Sequence, residues 1–101
     1  MLIWIPVDGS NEKNSKIVSQ YEAKFWALVD FDAGEVKSVR FYSRYEDCDE
    51  DWVDFIILIN KFENYMDFMN EGMMVLCVRE EETIEEIIEA YKFKELDEIG
   101  L

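Results

Sequence analysis

Val53-Asp54-Phe55-Ile56-Ile57-Leu58-Ile59-Asn60 is the stretch whose reading decides the fold. It is a short apolar run that ends on a residue favoured at helix starts. A run of this length reads as a strand buried on both faces, as in a parallel sheet. After it come a helix over 61–72, a second apolar run at 73–78 and a second helix over 83–96. This β-α-β-α tail requires further strands from the first half of the chain. Leu2–Val7, Phe25–Phe31 and Val36–Tyr42 supply them, the last alternating Val39 and Phe41 with Ser38 and Arg40 as an edge strand with one wet face does. Asp32-Ala33-Gly34-Glu35 is the hairpin turn between the last two, with Gly34 at positive φ. Pro6 has no N–H and belongs near its strand's end. Ile17, Tyr21 and Phe25 stand at helical spacing, but 17–24 also fits an extended lead into a strand.

Both tail helices have start signals. Asn60 with Glu63 matches an N-cap and its reciprocal partner, and Thr83 with Glu86 is a second such box. Phe62, Tyr65, Met66 and Met69 share one face of the first helix, which Gly72 ends. Ile84, Ile87, Ile88 and Tyr91 form the stripe of the second. Its Glu85 and Glu86 sit at the positive end of the helix dipole, with Lys92 and Lys94 near the other.

The 101 residues make one domain, 1–101, and half of them are hydrophobic, enough for a real core. Twenty-four acids against 10 bases give a net charge of −14. That excludes nucleic-acid phosphates and anionic membranes as partners and permits a basic protein. No apolar run approaches the ~20 residues of a membrane span. The opening Met-Leu-Ile-Trp-Ile-Pro-Val has no basic lead, so no signal peptide is expected. Two cysteines in a chain with a full core suggest reduced thiols and a cytoplasmic location. With no histidine, imidazole acid–base chemistry and His-ligated metals are excluded.

Three stretches together resemble the dinitrogenase iron–molybdenum cofactor family, small nitrogenase accessory domains with a ribonuclease-H-like fold. They are Ile3-Trp4-Ile5-Pro6-Val7-Asp8, then Ala23–Asp30 with the Gly34 hairpin and Val36–Tyr42, and finally Thr83–Tyr91 with Glu95-Leu96. The resemblance implies a three-layer α/β domain with a mixed five-stranded sheet in the order 3-2-1-4-5, strand 2 antiparallel. It implies a non-enzymatic role and, as cofactor, an iron–molybdenum or iron–sulfur cluster.

Ser19, Gln20, Tyr21 and Glu22 match positions of the family's cofactor loop, whose closing residues typically read His-Phe-Gly. Gln20 stands at the histidine position and Glu22 at the glycine position. A carboxamide is a poor metal ligand beside imidazole, and Glu22 puts negative charge where an anionic cluster would approach. The family's glycine-rich turn after strand 4 is also missing, because Ile59 runs straight into Asn60-Lys61-Phe62. The expectation is a domain without a competent metallocluster loop.

The family's first helix would lie in the connector Ser43–Trp52. That connector must travel roughly 14 Å across three inter-strand gaps and about 17–20 Å back along the strands. Ten residues reach roughly 33 Å extended but only about 15 Å as a helix, so the helix is missing or reduced. The expected consequence is an uncovered apolar face over the first three strands, closed by self-association into a homodimer. An acidic structural or protein-interaction module is therefore the alternative function.

Other candidates have plainer readings. Glu46, Asp47, Asp49, Glu50 and Asp51 could offer oxygens to Ca²⁺ or Mg²⁺, but they lack the EF-hand spacing and read as a solvated connector. Cys48 could meet a soft metal, although five carboxylates around it blunt its reactivity. Cys77 reads as core, and the inferred compartment disfavours a Cys48–Cys77 disulfide. Met66, Met69, Met73 and Met74 read as core rather than a Met-rich groove, as do Trp4 and Trp26. Trp52 reads as partial cover for the open face, and the acids of 80–89 as a helix start and solvent face. Asp8, Asp30 and Glu22 could meet near the strand ends, but no nucleophile–base pair can be assembled and no catalytic residue is named.

Overall fold

The structure is a computed structural model, and it describes residues 1–99; the last two positions of the range 1–101 lie outside it. Six strands form one mixed sheet: β1 Leu2–Val7, β2 Phe25–Asp32, β3 Glu35–Tyr42, β4 Phe55–Leu58, β5 Met74–Cys77 and β6 Asp97–Glu98. Their order is β3-β2-β1-β4-β5-β6. This is the expected order with one short strand added. β1, β4 and β5 run parallel, while β2, β3 and β6 join by antiparallel pairing. β6 is two residues long, below the reach of any periodicity argument, and Ile99 extends its edge by donating its N–H to the Val75 carbonyl.

The organising run is buried on both faces as its composition requires. Ile57 faces one core cluster, with Ile3, Ile5, Val7, Ala27, Val29 and the helix α2, Ile84–Lys92. Ile56 and Leu58 face the other, with Trp4, Trp26, Leu28, Val75 and Phe68 of the helix α1, Met66–Asn70. The capping box at the start of α2 is formed in both directions, Thr83 Oγ1 accepting from the Glu86 N–H and the Glu86 carboxylate from the Thr83 N–H. Backbone hydrogen bonds to that carboxylate, from Thr83 first and then Glu82, hold the Glu86 carboxyl below its ordinary value.

The helix expected over 61–72 is a single short helix. Asn60 Oδ1 accepts from the Phe62 N–H in a local turn, and Glu63 turns back instead of capping. The anticipated inward face is displaced too. Phe62 is 85% exposed and Met66 52%, while Phe68 is the buried residue. Met74 is likewise half exposed and only Met73 of the four methionines is fully core. Gly72 ends the segment at φ +91°, and an added Cβ would lie 2.7 Å from the Trp52 ring. In the hairpin Ala33 (φ 53°) as well as Gly34 (φ 79°) is left-handed, the pairing that a tight two-residue turn needs.

The connector holds one helical turn, Tyr45–Asp47, in place of a helix. The uncovered apolar face is not there, which corrects the expectation. Tyr45 packs edge-on against Trp26 (5.1 Å between centroids) and Phe68 (5.7 Å), and Tyr42 against Trp4 (5.7 Å). Trp4 and Trp26 are left 1% and 6% exposed. Further along the same face the side chains turn polar, because Leu28 pairs with Arg40 and Asp30 with Ser38. Arg40 then ties the acidic connector down through Glu50 at 3.1 Å. Aromatic bulk and a polar rim thus replace the lost helix.

Candidate functional site

The parallel strands β1, β4 and β5 end at Val7, Leu58 and Cys77. In open α/β sheets the crevice beyond such carboxyl ends is where ligands bind. Three connections converge here. The segment 8–24 is fastened to β1 by the Val18 and Lys24 N–H groups, which donate to Pro6 and Val7 carbonyls. Its other side is fixed by the Ile17 N–H donating to the Glu82 carbonyl. Thus 17–24 is an anchored loop, which settles the helix-or-extended alternative for that stretch.

The tip of that loop is Ser19–Glu22, and the turn after β4 lies beside it. The Glu63 carboxylate joins them. Its Oε1 accepts from the Gln20 N–H at 2.7 Å and the Ser19 hydroxyl at 3.2 Å; its Oε2 accepts from the Ile59 N–H at 3.2 Å. Glu63 is only 8% exposed. The Gln20 side chain is committed as well, donating from Nε2 to the Asn64 carbonyl at 2.8 Å. A buried carboxylate requires such donors, and these three satisfy it from two separate loops.

Of the four loop positions singled out in the sequence, Ser19 and Gln20 are brought together on Glu63. Tyr21 (72% exposed) and Glu22 stand in solvent, linked to Ser19 only through their backbone N–H groups. Glu63 was missed as a site residue because its spacing from Asn60 is that of a capping partner. Nothing local distinguishes a glutamate that caps its own helix from one that staples a loop 43 residues away.

Other candidates disperse. Asp8 accepts from the Lys16 N–H, while Asp30 pairs with Leu2 at the opposite end of β1, so these carboxylates do not meet. The acids 46–51 do not converge either, since Glu46 pairs with Arg44 and Glu50 with Arg40. Among the described residues no group of three His, Cys, Asp or Glu side chains could hold a metal ion. Cys48 and Cys77 are both free. Burial, then the charge of Asp97, pushes the Cys77 thiol up, so it is a poor nucleophile and a core residue as expected. Among the described residues no helix is long and apolar enough to cross a membrane.

Solved structures of this fold exist. A crystal structure of a "putative dinitrogenase" from Methanocaldococcus jannaschii superposes with a TM-score of 0.78 at 22% identity, covering 99% of this chain and 95% of that one. An NMR structure described in the same words, from Methanococcus jannaschii, gives 0.78 at 24% identity over 100% and 94%. An NMR structure of a "putative NifB protein" from Thermotoga gives 0.75 at 18% identity over 96% and 91%. The chain therefore has the fold of these dinitrogenase- and NifB-like domains, end to end. No protein-family model matches it, and no curated protein does.

Proposed function

We propose that this chain is a divergent, non-enzymatic domain of the nitrogenase-accessory kind that acts by binding and has no competent metallocluster loop. The first half of the reading is supported by the likeness in fold to domains described as dinitrogenase and NifB proteins. The observation that carries the second half is Glu63. A cluster approaching the loop would meet donors already engaged by an internal carboxylate, next to Gln20 where an imidazole is expected and to the charge of Glu22. Anaerobic purification followed by metal analysis and visible absorption, with and without iron–sulfur or iron–molybdenum cluster donors, tests it. A metal-free, colourless protein throughout is the expected result. Stoichiometric metal with a cluster spectrum would overturn the loss of the loop's competence and make Gln20 and Cys48 the residues to mutate.

A second reading, a cytoplasmic protein-interaction module, draws on the same edge. Phe62 and Tyr21 project there at 85% and 72% exposure, with the Lys61 ammonium 5.7 Å from the Phe62 ring. Large exposed aromatics are the residues that anchor protein contacts. The net charge of −14 favours a basic partner whose capture weakens as salt rises. Pull-down with the Phe62→Ser variant, which removes an exposed ring without touching the core, separates this reading from a surface that contacts nothing.

A further inference from the structure

Among the described residues one helix covers the α2 face of a sheet that is too wide for it. Six strands span about 24 Å, whereas a helix with its side chains is about 10 Å across. Beside the C-terminal half of α2 a groove of about 580 Å³ is left open. That is within the range of about 300–1,000 Å³ typical of small-molecule sites. Its aromatic side is continuous: Tyr91 meets Phe31 edge-on at 5.5 Å and Phe55 at 5.2 Å. Leu76, Leu96 and the half-exposed Met74 complete the apolar lining. Among the described residues the polar members are Lys92, Lys94 and one acid, Glu98. In a chain with 24 acids and 10 bases, a lining with two cations and one anion inverts the surface's prevailing charge. Both lysines are exposed, and Lys94 is held at the helix end by a left-handed backbone (φ 58°). Lys92 makes a long 4.0 Å, solvent-exposed pairing with Glu89, weak enough to be exchanged.

We propose that this groove binds a small amphipathic carboxylate, an aryl or medium-chain alkyl acid, with its apolar body on Tyr91, Phe55 and Leu96 and its carboxylate between Lys92 and Lys94. The site is separate from the Ser19–Glu63 loop and does not depend on what that loop does.

The test uses the full chain with ¹³C-labelled methionine and leucine methyl groups. Met74, Leu76 and Leu96 report on the groove, and Leu2, Leu28 and Leu58 serve as controls. The probes are 2-naphthoate and decanoate, with 2-naphthol and decanol as uncharged counterparts. The expected result is saturable shifts confined to the three groove residues, with the acids bound more tightly than the alcohols. Lys92→Gln and Lys94→Gln should each weaken acid binding about two- to fivefold, and the double variant about tenfold, as partly exposed ion pairs do. Both lysines lie on the surface, so these variants fold. No saturable shift up to about 2 mM, or shifts spread over the control methyls, overturns the proposal. Equal affinity for acids and alcohols, or an unchanged affinity in the double variant, overturns the charged half and with it the ligand class. Shifts at the same methyls that grow with protein concentration alone would assign the groove to a second copy and overturn it too.

Discussion

Removing the Glu63 carboxylate should unfasten the two loops at the carboxyl edge of the sheet. In Glu63→Ala, the Gln20 and Ile59 N–H groups and the Ser19 hydroxyl lose their acceptor together. A buried donor left unpaired costs about 1–3 kcal/mol, and hydrogen bonds to a charged acceptor are worth about 1.5–3 kcal/mol. Water reaching the vacated site, and relief from burying a charge, offset part of that sum. The net expectation is about 3 kcal/mol. For a chain of this length that corresponds to a fall of roughly 12–24 °C in Tm. Glu63→Gln keeps one acceptor but turns an NH₂ toward either the Ile59 or the Gln20 N–H, so about half the loss is expected. Urea unfolding followed by circular dichroism gives the energies, and amide hydrogen exchange reads Gln20 and Ile59 individually. Both amides should lose protection selectively in Glu63→Ala, and one of the two in Glu63→Gln. The exposed Glu80→Ala control should stay within about 0.5 kcal/mol of the parent. A Glu63→Ala variant as stable as that control, with Gln20 and Ile59 still protected, would refute the staple.

Four further outcomes follow from the same geometry. Tyr45→Ala strips the edge-on partner from Trp26 and Phe68 and should cost about 2–4 kcal/mol, with a shift in tryptophan emission as Trp26 becomes wet. Gly72→Ala should destabilise more than Gly34→Ala, because both meet a left-handed backbone but only Gly72 also meets the Trp52 ring; thermal melts of the pair give the ranking. Thr83→Ala removes the Oγ1 acceptor of the α2 cap and should cost about 1 kcal/mol by urea unfolding. The lowered Glu86 carboxyl contributes stability that is present above its unfolded-state pKa and lost as pH falls through its folded value, so the acid limb of a stability–pH profile should flatten in Glu86→Gln.

Much of the architecture was legible because it rests on local pattern. Leu2–Val7 and the Gly34 hairpin appear as read, and the Thr83–Glu86 box starts α2 as its spacing requires. The length of Ser43–Trp52 sufficed to rule out a full helix, since contour length is a property of the chain alone. Most of what was misread depended on partners distant in sequence, although the helix expected over 83–96 stops at Lys92 for a local reason, the left-handed turn at Lys94. Whether the connector's face stayed bare was decided by Tyr45 finding Trp26 and Phe68, and Arg40 finding Glu50. The Asn60-x-x-Glu63 signal does not start a helix there, and the Glu63 carboxylate instead takes donors from Ser19 and Gln20 as well as from the nearby Ile59. The two residues of β6 have no pattern of their own and pair because β5 leaves an open edge beside them. Periodicity, caps and contour length belong to neighbouring residues. Burial of a charge, cover for a face and the occupancy of a loop's donors belong to contacts that exist only once the chain has closed on itself.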